Sequence, residues 1–184
     1  TERIMRSLGV RVEGRAAADG GWAVSFEPPE GPLPPLEMAV PGDPSSAAFI
    51  LAVALLSRDR EVIVPNVGIN PTRTGFLGAV ARMGAQIEIL NERESGGEPV
   101  ADLLARPAAL RAIEIGGDEV PSMIDELPVL ATLAARAEGE TVVRGAEELR
   151  AKESDRISAV VGNLRAIGVD AEELPDGFVV TGTD

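Results

Sequence analysis

The 184-residue chain contains no cysteine and no histidine. Without cysteine there is neither a disulfide framework nor a thiolate metal site. Without histidine the commonest general base and the commonest transition-metal ligand are gone. Acid–base chemistry therefore falls to aspartate, glutamate or lysine. Aromatic residues make up only 3% of the chain, so a core has to be aliphatic, drawn from a hydrophobic content of 45%. Lys and Arg number 17 against 30 Asp and Glu, a net charge of −13, and no basic run stands out. Nucleic-acid binding is disfavoured, because a phosphate backbone calls for clustered cations. The longest apolar run, AAFILAVALL at 47–56, is about half of the ~20 residues that a membrane span needs. It reads as a helix buried on all sides. No signal peptide opens the chain, which starts on TERIMRSLG as if inside a helix. The expectation is a cytoplasmic protein with no membrane partner.

What is present is orderly. A helix tail at 1–8 closes on Gly9, and VRVEG and WAVSF alternate as strands around Asp19-Gly20-Gly21. EPPEGPLPPLE at 27–37 carries five prolines in eleven residues, which neither helix nor central strand tolerates. It marks a stiff connection and a boundary. Beyond it LEMAV reads as a strand, and Asp43-Pro44 as N-cap and first helical residue. The helix runs to about Ser57, EVIVPNV is a strand, and Asn70-Pro71 repeats the cap-plus-proline signal before TRTGFLGAVARMG. AQIEIL is a strand and VADLLARP a weaker one. The order then begins again: strand RAIEIGG, helix MIDELPVLATLAARAEG opened by Pro121-Ser122, strand ETVVRGA, helix to Gly168, and a hairpin VDAEEL/GFVVTG around Pro175-Asp176-Gly177. EVIV and ETVV lie roughly 80 residues apart, as do the RMGA and AIGV corners. A duplicated βαβαββ unit of α/β class is expected, with parallel strands joined by crossover helices plus hairpins. Residues 1 to about 26 match the last helix and two strands of a third copy. The divisions are 1–37, 38–110 and 111–184, and the chain reads as an internal piece of a longer one.

Two helix starts carry the charges of interest. Ser122 with Asp125 three residues on has capping-box spacing, and a carboxylate there suits the helix dipole. The alternative is a carboxylate placed at a ligand-binding helix mouth. EELRAKESDR packs four charges and a serine into 152–156. Glu153, Ser154 and Asp155 suit a first turn, whereas Arg156 opposes the dipole and makes sense beside an anion. Arg150, Lys152 and Arg156 together would grip phosphate or carboxylate, and Glu153 between two cations could move a proton. GDPSSAAF at 42–49 and NPTRTG at 70–75 are helix starts that would also suit a phosphate, as weaker motifs.

PGDPSSAAFILAVALL, NPTRTGFLGAVARMGA, PSMIDELPVLATLAARAEG and above all EELRAKESDR resemble EPSP synthase, in wording close to the bacterial branch that includes glyphosate-tolerant forms. The resemblance runs over essentially the whole chain. It implies lobes of three βαβαββ units each, with residues 1–37 ending one lobe and 38–184 forming two units of the other. It also implies a shikimate-pathway transferase that moves the enolpyruvyl group of phosphoenolpyruvate to the 5-hydroxyl of shikimate 3-phosphate. Phosphate leaves through a tetrahedral addition intermediate, with no metal or organic cofactor, in a monomer. By motif, Asp125 corresponds to the aspartate that binds the shikimate hydroxyls and takes the 5-hydroxyl proton. Lys152 corresponds to the lysine near that hydroxyl, Glu153 to the glutamate that protonates the phosphoenolpyruvate methylene, and Arg156 to a phosphoenolpyruvate-binding arginine. The family's Ser-Ser-Gln phosphate site, its Asp-His-Arg segment and its remaining lysines and arginines have no match here. The loop that governs glyphosate sensitivity has none either. With half of the family's site missing, the expectation for these 184 residues alone is no turnover. A related enolpyruvyl transferase, or a non-catalytic α/β domain whose cluster is only a cap, are the other readings.

Overall fold

The computed structural model describes residues 2–18 and 20–183. Asp19, in the turn expected at 19–21, lies outside them, with Thr1 and Asp184. The first elements are helix α1 (Glu2–Ser7) and strands β1 (Val12–Ala16) and β2 (Trp22–Phe26), which pair antiparallel with Val12 opposite Phe26. This is the helix and two strands expected of a partial unit. The proline-rich stretch that follows forms neither helix nor strand.

The first full unit holds α2 (Pro44–Leu56), β3 (Val62–Gly68), α3 (Gly75–Arg82), β4 (Ile87–Ser95) and β5 (Glu98–Ala105). Its sheet order is β3-β5-β4, with both pairings antiparallel. The strand expected at LEMAV is not formed. Only Gly42 makes a parallel bridge, to Val67, through Gly42 N–H on Asn66 O and Gly68 N–H on Gly42 O. One cause lies in β3, which bulges between Val64 and Val67, with Asn66 at φ 58°. β4 bulges on the other side of β5, with Asn91 at φ 52°. Asp102 of β5 fills the gap. It accepts from Asn66 N–H at 2.8 Å, from Asn91 Nδ2 at 2.9 Å and from Arg93 at 3.1 Å. Asn66 Nδ2 and Ser95 Oγ instead hold the carbonyls of Val40 and Ala39, occupying the backbone that a first strand would have paired. β5, read as the weaker strand, is the central and most buried one.

The second unit holds β6 (Leu110–Arg111), β7 (Glu114–Ile115), α4 (Leu127–Ala134), β8 (Ala137–Val143), α5 (Arg156–Ala166), β9 (Asp170–Leu174) and β10 (Gly177–Gly182). RAIEIGG is therefore two short pieces, both parallel to β8. They are separated where Ile113 N–H turns to the buried Thr141 hydroxyl at 3.4 Å. The path β8-β10-β9 repeats β3-β5-β4, so the duplication read from the sequence is a duplication of topology. The parallel crossover is complete in the second unit and reduced to a single bridge in the first.

The corners confirm the equivalence. α1, α3 and α5 each end on a glycine in the left-handed region, at Gly9 (φ 81°), Gly84 (φ 96°) and Gly168 (φ 87°). At each, the next N–H reaches back to the carbonyl five residues earlier: Val10 to Met5, Ala85 to Val80 and Val169 to Leu164. This double-bonded helix stop needs a residue free of the Cβ penalty at positive φ.

The core is aliphatic, as the composition requires, with Leu51, Leu55, Leu103, Ile115, Leu127, Leu130, Leu133 and Phe178 fully buried. α2 departs from the expectation of burial on all sides. Ala48, Leu51 and Leu55 face the core, whereas Phe49, Ile50, Val53 and Leu56 are exposed.

Candidate active site

MIDELPVLATL is not one helix. Val120–Ser122 and Ile124–Glu126 are separate 3₁₀ turns, and the α-helix begins only at Leu127. Pro128 explains this. Proline lacks the N–H and its ring clashes with the carbonyl four residues back, so it is tolerated only in a first turn. The capping box is absent too. Ser122 Oγ donates to Glu119 O at 2.7 Å, and Met123, at φ −150°, breaks the path to Asp125. Asp125 thus sits on a 3₁₀ turn ahead of the α-helix with its side chain 44% exposed.

The charge cluster is also more articulated than a helix start. A 3₁₀ turn at Glu147–Ala151 ends on extended Lys152, Glu153 and Ser154 are bends, and α5 begins at Arg156. Asp155 is the cap, accepting Ser158 N–H at 3.1 Å. That hydrogen bond, together with the Arg150 guanidinium, holds the Asp155 carboxyl below the usual range. Arg150 does not join an anion grip. Its Nε and Nη2 donate to Pro175 O and Leu174 O, and its Nη1 to Asp155 at 2.7 Å and Glu173 at 2.8 Å. These bonds tie the 3₁₀ turn to the β9–β10 hairpin, and the two carboxylates raise the pKa of Arg150 further.

The fold brings three of the four candidates together. Arg156 Nη1 lies 2.9 Å from Asp125 Oδ1, and Nη2 lies 2.8 Å from Glu153 Oε2. Asp125 and Glu153, 28 positions apart in the chain, thus share one guanidinium. Asp125 Oδ2 makes no hydrogen bond among the described residues. Glu153 is 83% exposed. Its own backbone N–H, the Arg156 guanidinium and the Lys152 charge hold its carboxyl below the usual glutamate range. Lys152 points elsewhere, with Nζ 3.4 Å from Glu148 Oε1.

A second polar group went unread in the sequence. Glu126, next to Asp125, is 2% exposed. Ser45 Oγ donates to it, and Arg73 Nη2 lies 2.9 Å from Ser45 Oγ, 3.7 Å from Asp43 Oδ1 and 3.9 Å from Glu126 Oε1. GDPSS and NPTRTG meet here, but on a carboxylate of the same chain. The one available signal was Glu126 falling on the buried side of a run that is otherwise apolar.

Repeated βαβαββ units and a cluster of two carboxylates around one arginine, with no His or Cys in the chain, define an α/β protein with a carboxylate–guanidinium cluster carried by its second repeat. The family profile of EPSP synthase (3-phosphoshikimate 1-carboxyvinyltransferase) matches residues 1–184. A 3-phosphoshikimate 1-carboxyvinyltransferase of Desulfitobacterium hafniense is 51% identical over 99% of this chain and 40% of its own length. One from Geobacter sulfurreducens is 50% identical over 100% of this chain and 41% of its own length. A solved EPSP synthase from Acinetobacter baumannii superposes with a TM-score of 0.91 at 41% identity, covering 100% of this chain and 40% of that one. The chain belongs to the EPSP synthase family. It spans about 40% of the length of the curated relatives it matches.

Proposed function

We propose that these residues form part of the site of a 3-phosphoshikimate 1-carboxyvinyltransferase, which transfers the enolpyruvyl group of phosphoenolpyruvate to the 5-hydroxyl of shikimate 3-phosphate and releases phosphate. The observation that carries the reading is the Arg156 guanidinium shared by Asp125 and Glu153. A surface cap needs no such bridge across 31 residues from another turn.

The arrangement supports a division of labour. Arg156 offers a planar fork suited to a carboxylate or phosphate. An incoming phosphoenolpyruvate anion competes with Glu153, the more exposed partner. Once Arg156 turns to substrate, Glu153 loses one of the interactions that lower its pKa and can hold a proton. It delivers that proton to the methylene carbon while Asp125 Oδ2 accepts the proton of the attacking hydroxyl. A C–O bond forms at the central carbon of phosphoenolpyruvate. In the second step the methyl group returns a proton, the double bond re-forms and the C–O bond to phosphate breaks. Lys152 serves the hydroxyl by leaving Glu148, an exposed pairing of small worth. The negative net charge is no obstacle, since local cations set the potential of a site.

The reading includes 1–37 as the end of one lobe and its connection, and 38–110 and 111–184 as units of the other. It also includes the cytoplasmic, monomeric parent that the family resemblance implies. The test is phosphate release from the two substrates by a chain of full family length carrying these residues. Asp125→Asn and Glu153→Gln are each expected to slow it by roughly 10²–10⁴, the span of a lost acid–base group. A near-normal rate removes that residue from its role. These 184 residues alone are expected to give no steady release.

A further inference from the structure

We propose that Glu126 is a positioning residue: through Ser45 and Arg73 it locks the turn that carries Asp125 to the start of α2, and so sets where the Asp125 carboxylate points. The inference rests on the reading of Asp125 given above. Glu126 is the one buried acidic side chain among the described residues. Removing a carboxylate from water is costly, and an apolar residue of similar size commonly gives equal or greater stability at such a place. Its partners are few, a Ser45 hydroxyl and one guanidinium edge at 3.9 Å. A contribution to stability is therefore a weak reason for it.

Geometry supplies a stronger one. Asp125 and Glu126 are neighbours on a 3₁₀ turn closed by Glu126 N–H on Met123 O at 2.9 Å. Successive side chains on such a turn point about 120° apart. With Glu126 drawn inward, Asp125 is held outward, where Arg156 meets it at 2.9 Å. The anchor is itself fixed. Asp43 accepts Ser45 N–H at 3.2 Å and Ser46 N–H at 3.0 Å. Arg73 ends the turn that Asn70 caps. Capped starts of the first unit thus fix a turn of the second. Backbone bonds hold the turn only at Met123 O, from Glu126 and Leu127, and Pro128 has no N–H to extend that ladder to Ile124, so side-chain anchoring adds to its hold.

The test is a rate cycle in a chain of full family length. Glu126→Leu and Ser45→Ala are each made in the wild-type and Asp125→Asn backgrounds, with phosphate release and thermal unfolding followed. Glu126→Leu is expected to lower kcat about 10- to 100-fold, the scale of a misplaced catalytic group. KM for phosphoenolpyruvate should stay within about 3-fold, because Glu126 touches no substrate, and the melting temperature should be unchanged or raised. In the Asp125→Asn background the same substitution should change kcat by less than about 2-fold, because it acts through Asp125. Equal losses in both backgrounds, or no loss in either, overturn the proposal. If Asp125→Asn alone keeps a normal rate, the site reading itself fails, an outcome distinct from a slow Asp125→Asn enzyme that Glu126→Leu slows equally further. Should Glu126→Leu not fold, Ser45→Ala, on a half-buried helix start, carries the same comparison.

Discussion

Phe49 and Leu51 lie two residues apart on α2 and provide a sharp test of how the helix is seated. Phe49 is 56% exposed and Leu51 1% exposed. Truncating Leu51 to alanine removes a buried side chain and leaves a cavity, at a cost of about 3 kcal/mol within a usual range of roughly 2–5. Burying a whole phenylalanine contributes about 1.5–3 kcal/mol. Less than half of Phe49 is out of water, so Phe49→Ala loses about 1 kcal/mol, of which the better helix propensity of alanine returns about 0.5. For a chain of this size each kcal/mol moves the melting temperature by about 2–4 °C. The expected shifts are about 6–12 °C for Leu51→Ala and about 2 °C or less for Phe49→Ala. Thermal and urea unfolding of the 184-residue chain, followed by far-ultraviolet circular dichroism, measure both. Equal shifts, or a larger one for Phe49→Ala, would mean that α2 is buried on all sides as its composition alone implies, and the packing described here would be wrong.

Asp43→Ala should destabilise by about 0.5–1 kcal/mol at neutral pH, the lower part of the cap range because the carboxylate is half exposed. Burial pulls the Asp43 pKa up, but hydrogen bonds from Ser46 and Ser45 lower it on balance. A depressed folded pKa gives stability that is full above the unfolded value and lost as pH falls through the folded one. The gap between wild type and Asp43→Ala should therefore close in acid; a gap that widens there contradicts the cap. Arg156→Ala should raise the Glu153 titration midpoint in carboxyl NMR while leaving the part of its depression due to its own backbone N–H. An unmoved midpoint would break the pairing. Arg150→Ala should speed hydrogen exchange at Leu149 and along the β9–β10 hairpin, since it removes the donors to Leu174 O and Pro175 O; unchanged exchange would return Arg150 to the list of free cations.

Much of the fold was readable because its signals are local. Asp43-Pro44 announces the start of α2, with the cap accepting the expected N–H groups, whereas Asn70-Pro71 caps only a 3₁₀ turn at Pro71–Arg73 and α3 begins later, at Gly75, without a side-chain cap. Gly9, Gly84 and Gly168 announce the stops. The repeat spacing then orders the strands. What escaped depends on the partner rather than the segment. LEMAV alternates like a strand, but the bulge at Asn66 and the side chains of Asn66 and Ser95 claim its backbone. The run 47–56 is apolar throughout, and nothing within it says which side faces the core. Pro128 was a local signal against a helix from 121, and it was overridden by the apolar periodicity around it.

The site divides in the same way. Asp125, Glu153 and Arg156 were identifiable by motif, and the fold brings them onto one guanidinium. Their chemistry is visible only in that contact, because two carboxylates 28 residues apart carry no spacing rule. Arg150 looked equivalent to Lys152 and Arg156 in sequence. Its separation from them comes from carbonyls of a hairpin more than twenty residues on. Glu126 gave no charge pattern at all, and its burial against Ser45 comes from the packing of one repeat on the other.

In the proposed reaction Arg156 exchanges Glu153 for a substrate anion, so that Glu153 becomes able to carry a proton. The most direct measurement is the carboxyl titration of Glu153, by NMR in a chain of full family length loaded with shikimate 3-phosphate, before and after saturation with phosphoenolpyruvate. The midpoint should lie below the ordinary glutamate value without phosphoenolpyruvate and rise once it is bound. A midpoint that stays depressed at saturation, in a chain that still releases phosphate, would contradict that exchange.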